Sequence, residues 1–193
     1  MDIILASSSA YRRRLLERLQ IDFRCLAPDT DESRRANESP PALSQRLAIA
    51  KARAIAELHP DALVIGSDQV ASVEGDILGK PGGFRPAVEQ LLLCSGREVR
   101  FFTTVALVSL HRGLEQFHVE PFSVFFRRLG EEEITNYLAR DEPYDCAGSF
   151  KVESLGIALF KRLTGNDPTS LEGLPLIALS TLLRDAGVDV LST

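Results

Sequence analysis

Apolar positions along this chain follow two rhythms, and their order predicts the elements. Ile3–Ala6 is a short apolar run and reads as a strand. Ser7, Ser8 and Ser9 follow where helix caps belong, and Tyr11, Leu15 and Leu19 then recur every four residues with Leu16 beside them, which predicts a helix over 11–19. Phe23–Ala27 reads as a second strand. Pro41–Leu58 reads as a long amphipathic helix, with Leu43, Leu47, Ala50, Ala54 and Leu58 along one side and Lys51 next to that stripe. Ala62–Val70 is a continuous apolar run that breaks at Ser67, Asp68 and Gln69. That pattern predicts a strand buried on both faces, with Asp68 at its carboxyl end.

Further on, Gly75 marks a small hairpin between Ala71–Val73 and Ile77–Leu78. Pro86–Leu93 reads as a short helix closed by Cys94, Ser95 and Gly96. Glu98–Leu110 and Leu114–Arg128 alternate as long strands joined by a turn at His111, Arg112 and Gly113. Glu131–Arg140 is a helix with acidic residues in its first turn. Leu155–Phe160 is another apolar run, 165–169 a loop, and Leu174–Ala186 a closing helix ended by Gly187. The order predicts an α/β fold, a mixed sheet flanked by helices, in one domain over 1–193 with two lobes.

Composition changes this picture little. With 45% hydrophobic and 25% charged residues the chain has the profile of a soluble globular protein. A net charge of −5 provides no general attraction for nucleic acid or anionic lipid. Three widely spaced cysteines, Cys25, Cys94 and Cys146, include no C-x-x-C pair and suit a reducing compartment. No apolar run approaches the roughly 20 residues that span a bilayer. The expected location is the cytoplasm, without nucleic-acid or membrane partners.

Candidate chemistry lies at three places. Arg12, Arg13 and Arg14 stand in the first turn of a helix, where positive charge opposes the dipole. Either they form a solvated basic face, or they join the serine hydroxyls and free N–H groups around a phosphate. An acidic loop, Asp29-Thr30-Asp31-Glu32, follows the second strand and offers hard oxygen ligands to a divalent cation. Asp68 could act on water as a general base or merely start a turn. Lys51 and Lys80 could add cations, although Gly79-Lys80-Pro81 lacks the order of a Walker A loop. His59, His111 and His118 occupy a helix end, a turn and a strand, poor material for a triad.

Taken together, several short motifs resemble the Maf family of nucleoside triphosphate pyrophosphatases along nearly the whole chain. They are Leu5-Ala6-Ser7-Ser8-Ser9 with Arg12-Arg13, Pro28-Asp29-Thr30-Asp31-Glu32, and Leu47-Ala48 with Lys51-Ala52. Gly66-Ser67-Asp68-Gln69-Val70, Gly79-Lys80-Pro81, and Gly148-Ser149-Phe150 with Glu153 complete the set. The resemblance implies an elongated Maf/ITPase-like mixed β-sheet flanked by helices, with a deep cleft between two lobes. It also implies cleavage between the α and β phosphates, dependent on a divalent metal cation (Mg²⁺ or Mn²⁺). Asp68 then matches the catalytic base, Ser9, Arg12, Arg13, Lys51 and Lys80 the substrate-binding set, and Glu32 with Asp68 the metal site.

Within that family Tyr11, Gln69 and Glu153 stand at the positions that separate substrates. An aromatic residue, Gln and Glu there resemble the branch acting on 7-methyl-GTP, in clearance of modified nucleotides. A methylated guanine is cationic and suits an aromatic face, and a carboxylate can accept from its N1–H and amino group. Two positions depart from the branch: Ala10 replaces a common Pro and Tyr11 a common Trp. Other readings stay open: the same chemistry on UTP, CTP or dTTP, a non-catalytic nucleotide-binding regulator of cell division, or an aspartate-nucleophile phosphatase built on Asp29 and Asp31. The expected partner is a small-molecule nucleotide, with a homodimer left open.

Overall fold

The short apolar runs of the first half pair as parallel strands, because helical crossovers carry the chain back between them. A computed structural model describes residues 2–192. Strand β1 (Ile3–Ala6) lies between β2 (Arg24–Leu26) and β3 (Leu63–Val73), parallel to both, with Ile4 opposite Arg24 on one side and Val64 on the other. Helix α1 (Ala10–Glu17) connects β1 to β2, and α2 (Pro40–Leu58) connects β2 to β3. Strand β4 (Asp76–Leu78) folds back antiparallel on β3 through Glu74-Gly75, with Val73 opposite Asp76. After α3 (Phe84–Cys94) come β5 (Glu98–Ser109), β6 (Leu114–Phe126), α4 (Glu131–Asp141), β7 (Phe160–Gly165) and α5 (Leu176–Asp185). The strand order is β2-β1-β3-β5-β6-β7 with β4 paired to β3, and β7 runs antiparallel to β6. This is the mixed sheet flanked by helices that the sequence predicts.

The structure corrects several details. Strand β3 does not stop at Asp68 but continues to Val73, so Asp68 is an interior strand residue. Its polar residues do not break the strand, because each finds a partner on one face or the other. The buried side of α2 carries Leu43, Leu47, Lys51 and Ile55, with Ser44, Ala48, Ala52 and Ala56 beside them. Leu58, assigned to that side by spacing, is 72% exposed. The stretch 155–160 is a 3-10 turn over Leu155–Leu159 rather than one apolar element, and β7 follows it. Part of the 165–169 loop belongs to a second 3-10 turn, Pro168–Glu172.

By contact the chain divides into two units. One contains the chain up to Gln69, Thr103–Glu120 and the chain from Asp167 onward; the other contains Val70–Phe102 and Pro121–Asn166. In the first, β3 is covered on both faces. Ile65 packs with Ile3, Leu5, Leu15, Leu179 and Leu183, while Val64 packs with Ile4, Ala48, Ala52 and Ile55. In the second, Phe101, Phe126, Phe150 and Phe160 meet edge to face with ring centres 4.8–5.7 Å apart. Helices α3 and α4 pack on each other within the same unit. Among the described residues no helix is long and apolar enough to cross a membrane.

Helix α2 approaches β3 closely at Gly66. A Cβ there would lie 2.2 Å from the Ala48 carbonyl oxygen and 2.9 Å from the Ala52 Cβ. Only a glycine against a row of alanines permits this distance. Gly66→Ala is therefore expected to destabilise the protein by about 3 kcal/mol through overpacking. A shift of the urea midpoint measures it, and an unchanged midpoint would mean that α2 moves aside freely.

Candidate active site

The close contact at Gly66 delivers two charges to one point. Side chains two residues apart share a strand face, so Asp68 projects on the α2 side like Val64 and Gly66. Lys51 lies on the buried side of α2, next to Ala52. Its Nζ donates to Asp68 Oδ1 at 2.6 Å and pairs with Glu32 Oε1 at 2.7 Å. Lys51 and Asp68 are each 7% exposed. A lysine that the sequence leaves ambiguous is thus a buried ammonium between two carboxylates.

Burial raises the Asp68 pKa above the ordinary aspartate value, against the opposing pull of Lys51 and Arg12; Glu32 adds to the rise. The half-buried Arg12 guanidinium donates from Nε to the Gly173 carbonyl at 2.9 Å. Burial lowers its pKa while Asp68 and Glu32 oppose that. Two cations and two carboxylates therefore converge, with no net charge among them.

The opposite face of β3 is tied to the turn before α5. The Ser67 hydroxyl lies 2.8 Å from the Thr104 carbonyl and 2.9 Å from that of Gly173. Gly173 has φ +110°, a conformation that L side chains rarely adopt. Gln69 Nε2 lies within hydrogen-bond distance of Thr103 Oγ1 (3.0 Å), the Ser170 carbonyl (2.8 Å) and the Leu171 carbonyl (3.2 Å). Its amide donors thus belong to the protein, and its Oε1 is the group it can offer a ligand. Buried Asp167 secures the same turn by accepting from Thr169 N and Oγ1 and from Ile177 N.

The other predicted residues fall in varied places. Ser9 caps α1, its Oγ accepting from Arg12 N at 3.4 Å. Arg13 is exposed and paired with Glu17 at 3.1 Å, apart from the Lys51 cluster. Arg14 stands 5.2 Å over the Tyr11 ring, so one aromatic face already carries a cation. Lys80 is exposed in the turn after β4, and Glu153 is exposed in the turn before Leu155. Asp29 and Asp31 are exposed, and Asp31 accepts from Ser33 N, an open loop rather than a nucleophile's pocket. The three histidines bond at separate points: His59 to Arg24, His111 to Asp61 and His118 to Glu120.

Sequence reasoning missed Arg46, which fixes the loop carrying Glu32. It holds Glu38 through both carboxylate oxygens at 2.6 and 2.9 Å and donates to the Ser33 carbonyl at 2.9 Å. The Arg46 guanidinium brings the Glu38 pKa down to about 2. The available signal was its spacing, five residues before Lys51 on one helix.

Among the described residues no cluster of three or more His, Cys, Asp or Glu forms a metal cage. Glu32 and Asp68, which reach one common atom, suit instead a cation such as Mg²⁺ that takes one or two carboxylates and completes its shell with water and substrate phosphates. A polyphosphate would bring negative charge that Arg12 and Lys51 alone cannot balance, since both already face carboxylates. The donor set therefore fits.

Lys51→Met should strand Asp68 in a buried place and cost about 3–5 kcal/mol at neutral pH. A buried carboxylate with a raised folded-state pKa binds its proton more readily folded than unfolded. The deficit relative to wild type, measured by urea unfolding at each pH, should therefore shrink as pH falls and Asp68 becomes neutral. A deficit independent of pH would assign the loss to packing.

The sequence model of the Maf-like protein family matches residues 2–186. Three relatives carry the name 7-methyl-GTP pyrophosphatase. That of Colwellia psychrerythraea is 49% identical over 190 residues, covering 98% of this chain and 95% of its own. Those of Aromatoleum aromaticum (52%, covering 96% of each chain) and Pseudomonas savastanoi pv. phaseolicola (51%, covering 97% of this chain and 98% of its own) are similarly close. The solved Staphylococcus aureus Ham1 protein superposes with a TM-score of 0.55 over 96% of this chain and 100% of its own. At 15% identity that likeness is one of fold.

Proposed function

This chain belongs to the Maf-like protein family, and from that premise we propose that it hydrolyses a nucleoside triphosphate between the α and β phosphates, releasing pyrophosphate, with 7-methyl-GTP as substrate. The names of three relatives at 49–52% identity over nearly the full chain support the substrate. The observation that carries the chemistry is Asp68, a buried carboxylate with a raised pKa, held by Lys51 through one oxygen. A raised pKa makes it a better proton acceptor near neutral pH than an ordinary aspartate. Lys51 fixes Oδ1, which leaves Oδ2 to take the proton from the attacking water. Arg12 and Lys51 bind phosphate oxygens and stabilise the charge that develops on them. Ser9 and Lys80 are further phosphate contacts, and Tyr11, Gln69 and Glu153 select the base.

Glu32 and Asp68 would hold a divalent cation, Mg²⁺ or Mn²⁺, which would neutralise phosphate charge when bound. Free thiols at Cys25, Cys94 and Cys146 support a reducing, cytoplasmic setting.

The test scores pyrophosphate against orthophosphate with Mg²⁺ or Mn²⁺ across 7-methyl-GTP, GTP, UTP, CTP and dTTP. Pyrophosphate is expected fastest from 7-methyl-GTP; a pyrimidine leading the series would overturn the base assignment, and orthophosphate alone would overturn the chemistry. Asp68→Asn should lower turnover by at least about 10²-fold while nucleotide binding persists. Its melting temperature should fall only modestly, since the Lys51 ammonium left behind still pairs with Glu32 at 2.7 Å. Near wild-type turnover would remove Asp68 from the base role.

A further inference from the structure

Two motif segments that share no secondary-structure element converge on one side chain, Gln90. Gln90 lies on α3, 59 residues before Ser149 in sequence, yet it touches the Gly148–Glu153 segment directly. Its Oε1 accepts from Ser149 Oγ at 2.7 Å, and its Nε2 donates to the Gly79 carbonyl at 2.9 Å. Gly79 directly precedes Lys80, and Ser149 begins the stretch that ends in Glu153.

Both ends of this bridge are specified. Ser149 is fully buried and has φ +61°, unusual for a residue with a side chain. Phe150, next to it, is locked among Phe101, Phe126 and Phe160. Lys151 N donates to the Tyr137 hydroxyl at 3.1 Å, which continues the same anchoring toward Glu153. On the other side Gly82 N donates to the Tyr144 carbonyl at 2.9 Å, closing the Lys80 turn against the same unit. A glutamine suits the bridge because one amide supplies both the acceptor and the donor it needs. A hydrocarbon side chain would leave the buried Ser149 hydroxyl without this partner.

We propose that Gln90 is a positioning residue: it holds the Lys80 turn and the Ser149–Glu153 segment in one register, so that a phosphate-binding cation and a base-selecting carboxylate are presented together. The assignment of those two end groups rests on the function proposed above, whereas the mechanical coupling does not. Gln90 itself touches no reacting atom.

Amide hydrogen exchange and substrate preference test this in Gln90→Met and Gln90→Glu. In Gln90→Met, exchange should quicken at Gly82 and also at Ser149 and Lys151, while the interior of α3 keeps its protection. In Gln90→Glu the carboxylate still accepts from Ser149 but faces the Gly79 carbonyl without a donor. The Gly82 amide should then loosen alone.

Selectivity for 7-methyl-GTP over UTP, as a ratio of kcat/KM, should drop about tenfold in Gln90→Met, carried mostly by KM. Equal losses on both nucleotides, or faster exchange throughout α3, would reduce Gln90 to a structural helix residue and overturn the proposal. Unchanged exchange in both segments would overturn it as well. If the wild-type protein released no pyrophosphate from any nucleotide, the functional reading would fall, and the exchange pattern would still decide the coupling.

Discussion

The Lys51–Asp68 pair exists because β3 lacks a side chain at Gly66. Backbone meets backbone there, with Ala48 and Ala52 leaving room on the helix. An ammonium and a carboxylate, each almost out of contact with water, are then brought within 2.6 Å. Removing either charge would leave the other in a medium that solvates it poorly, so the pair is constrained by burial more than by mutual attraction. Its net contribution to stability is small or negative; its value is a carboxylate with fixed orientation and weakened hydration. The apolar packing on both faces of β3 supports this arrangement.

The strand also separates two tasks by its alternation. On the α2 side it presents Asp68. On the other side Ser67 and Gln69 fasten the strand to the turn over 168–173, whose shape depends on Asp167 and on Gly173. Arg12 reaches the same Gly173 carbonyl that accepts from Ser67. One carbonyl oxygen therefore orients a cation and braces the strand that carries the base. Rigidity on one face supplies the accuracy that chemistry on the other requires.

Sequence periodicity located these elements wherever packing is one-sided or the run is long. The β5–β6 hairpin, α4 and β1 were legible because their rhythms match a single environment. Strand β7 was not: in Phe160–Gly165 the outward Lys161 and Arg162 dilute the apolar signal, and only pairing with β6 makes the stretch extended. The end of β3 was misplaced because Ser67, Asp68 and Gln69 look like punctuation until their partners, which lie far away in sequence, are in view. Lys51 could be read only by resemblance, since helical spacing alone offers two adjacent stripes and charge argues for the outer one. Arg46 and Gln90 were invisible for a related reason: each acts by bridging loops, and a helix pattern says nothing about which loop a polar side chain meets.

Neither contact unit is a continuous piece of chain. The layer around Ile3 and Leu5 is completed by Leu179 and Leu183, almost a whole chain length later. On a ribosome adding about 5–20 residues each second, the first strand would emerge many seconds before the helix that covers it exists. Until then its apolar face has α1, β3 and, later, Val105 and Leu107 of β5 for shelter. Closure of this unit therefore waits for α5, and the nascent chain's exposed parallel strands make the interval before α5 appears the one in which chaperone capture competes with closure.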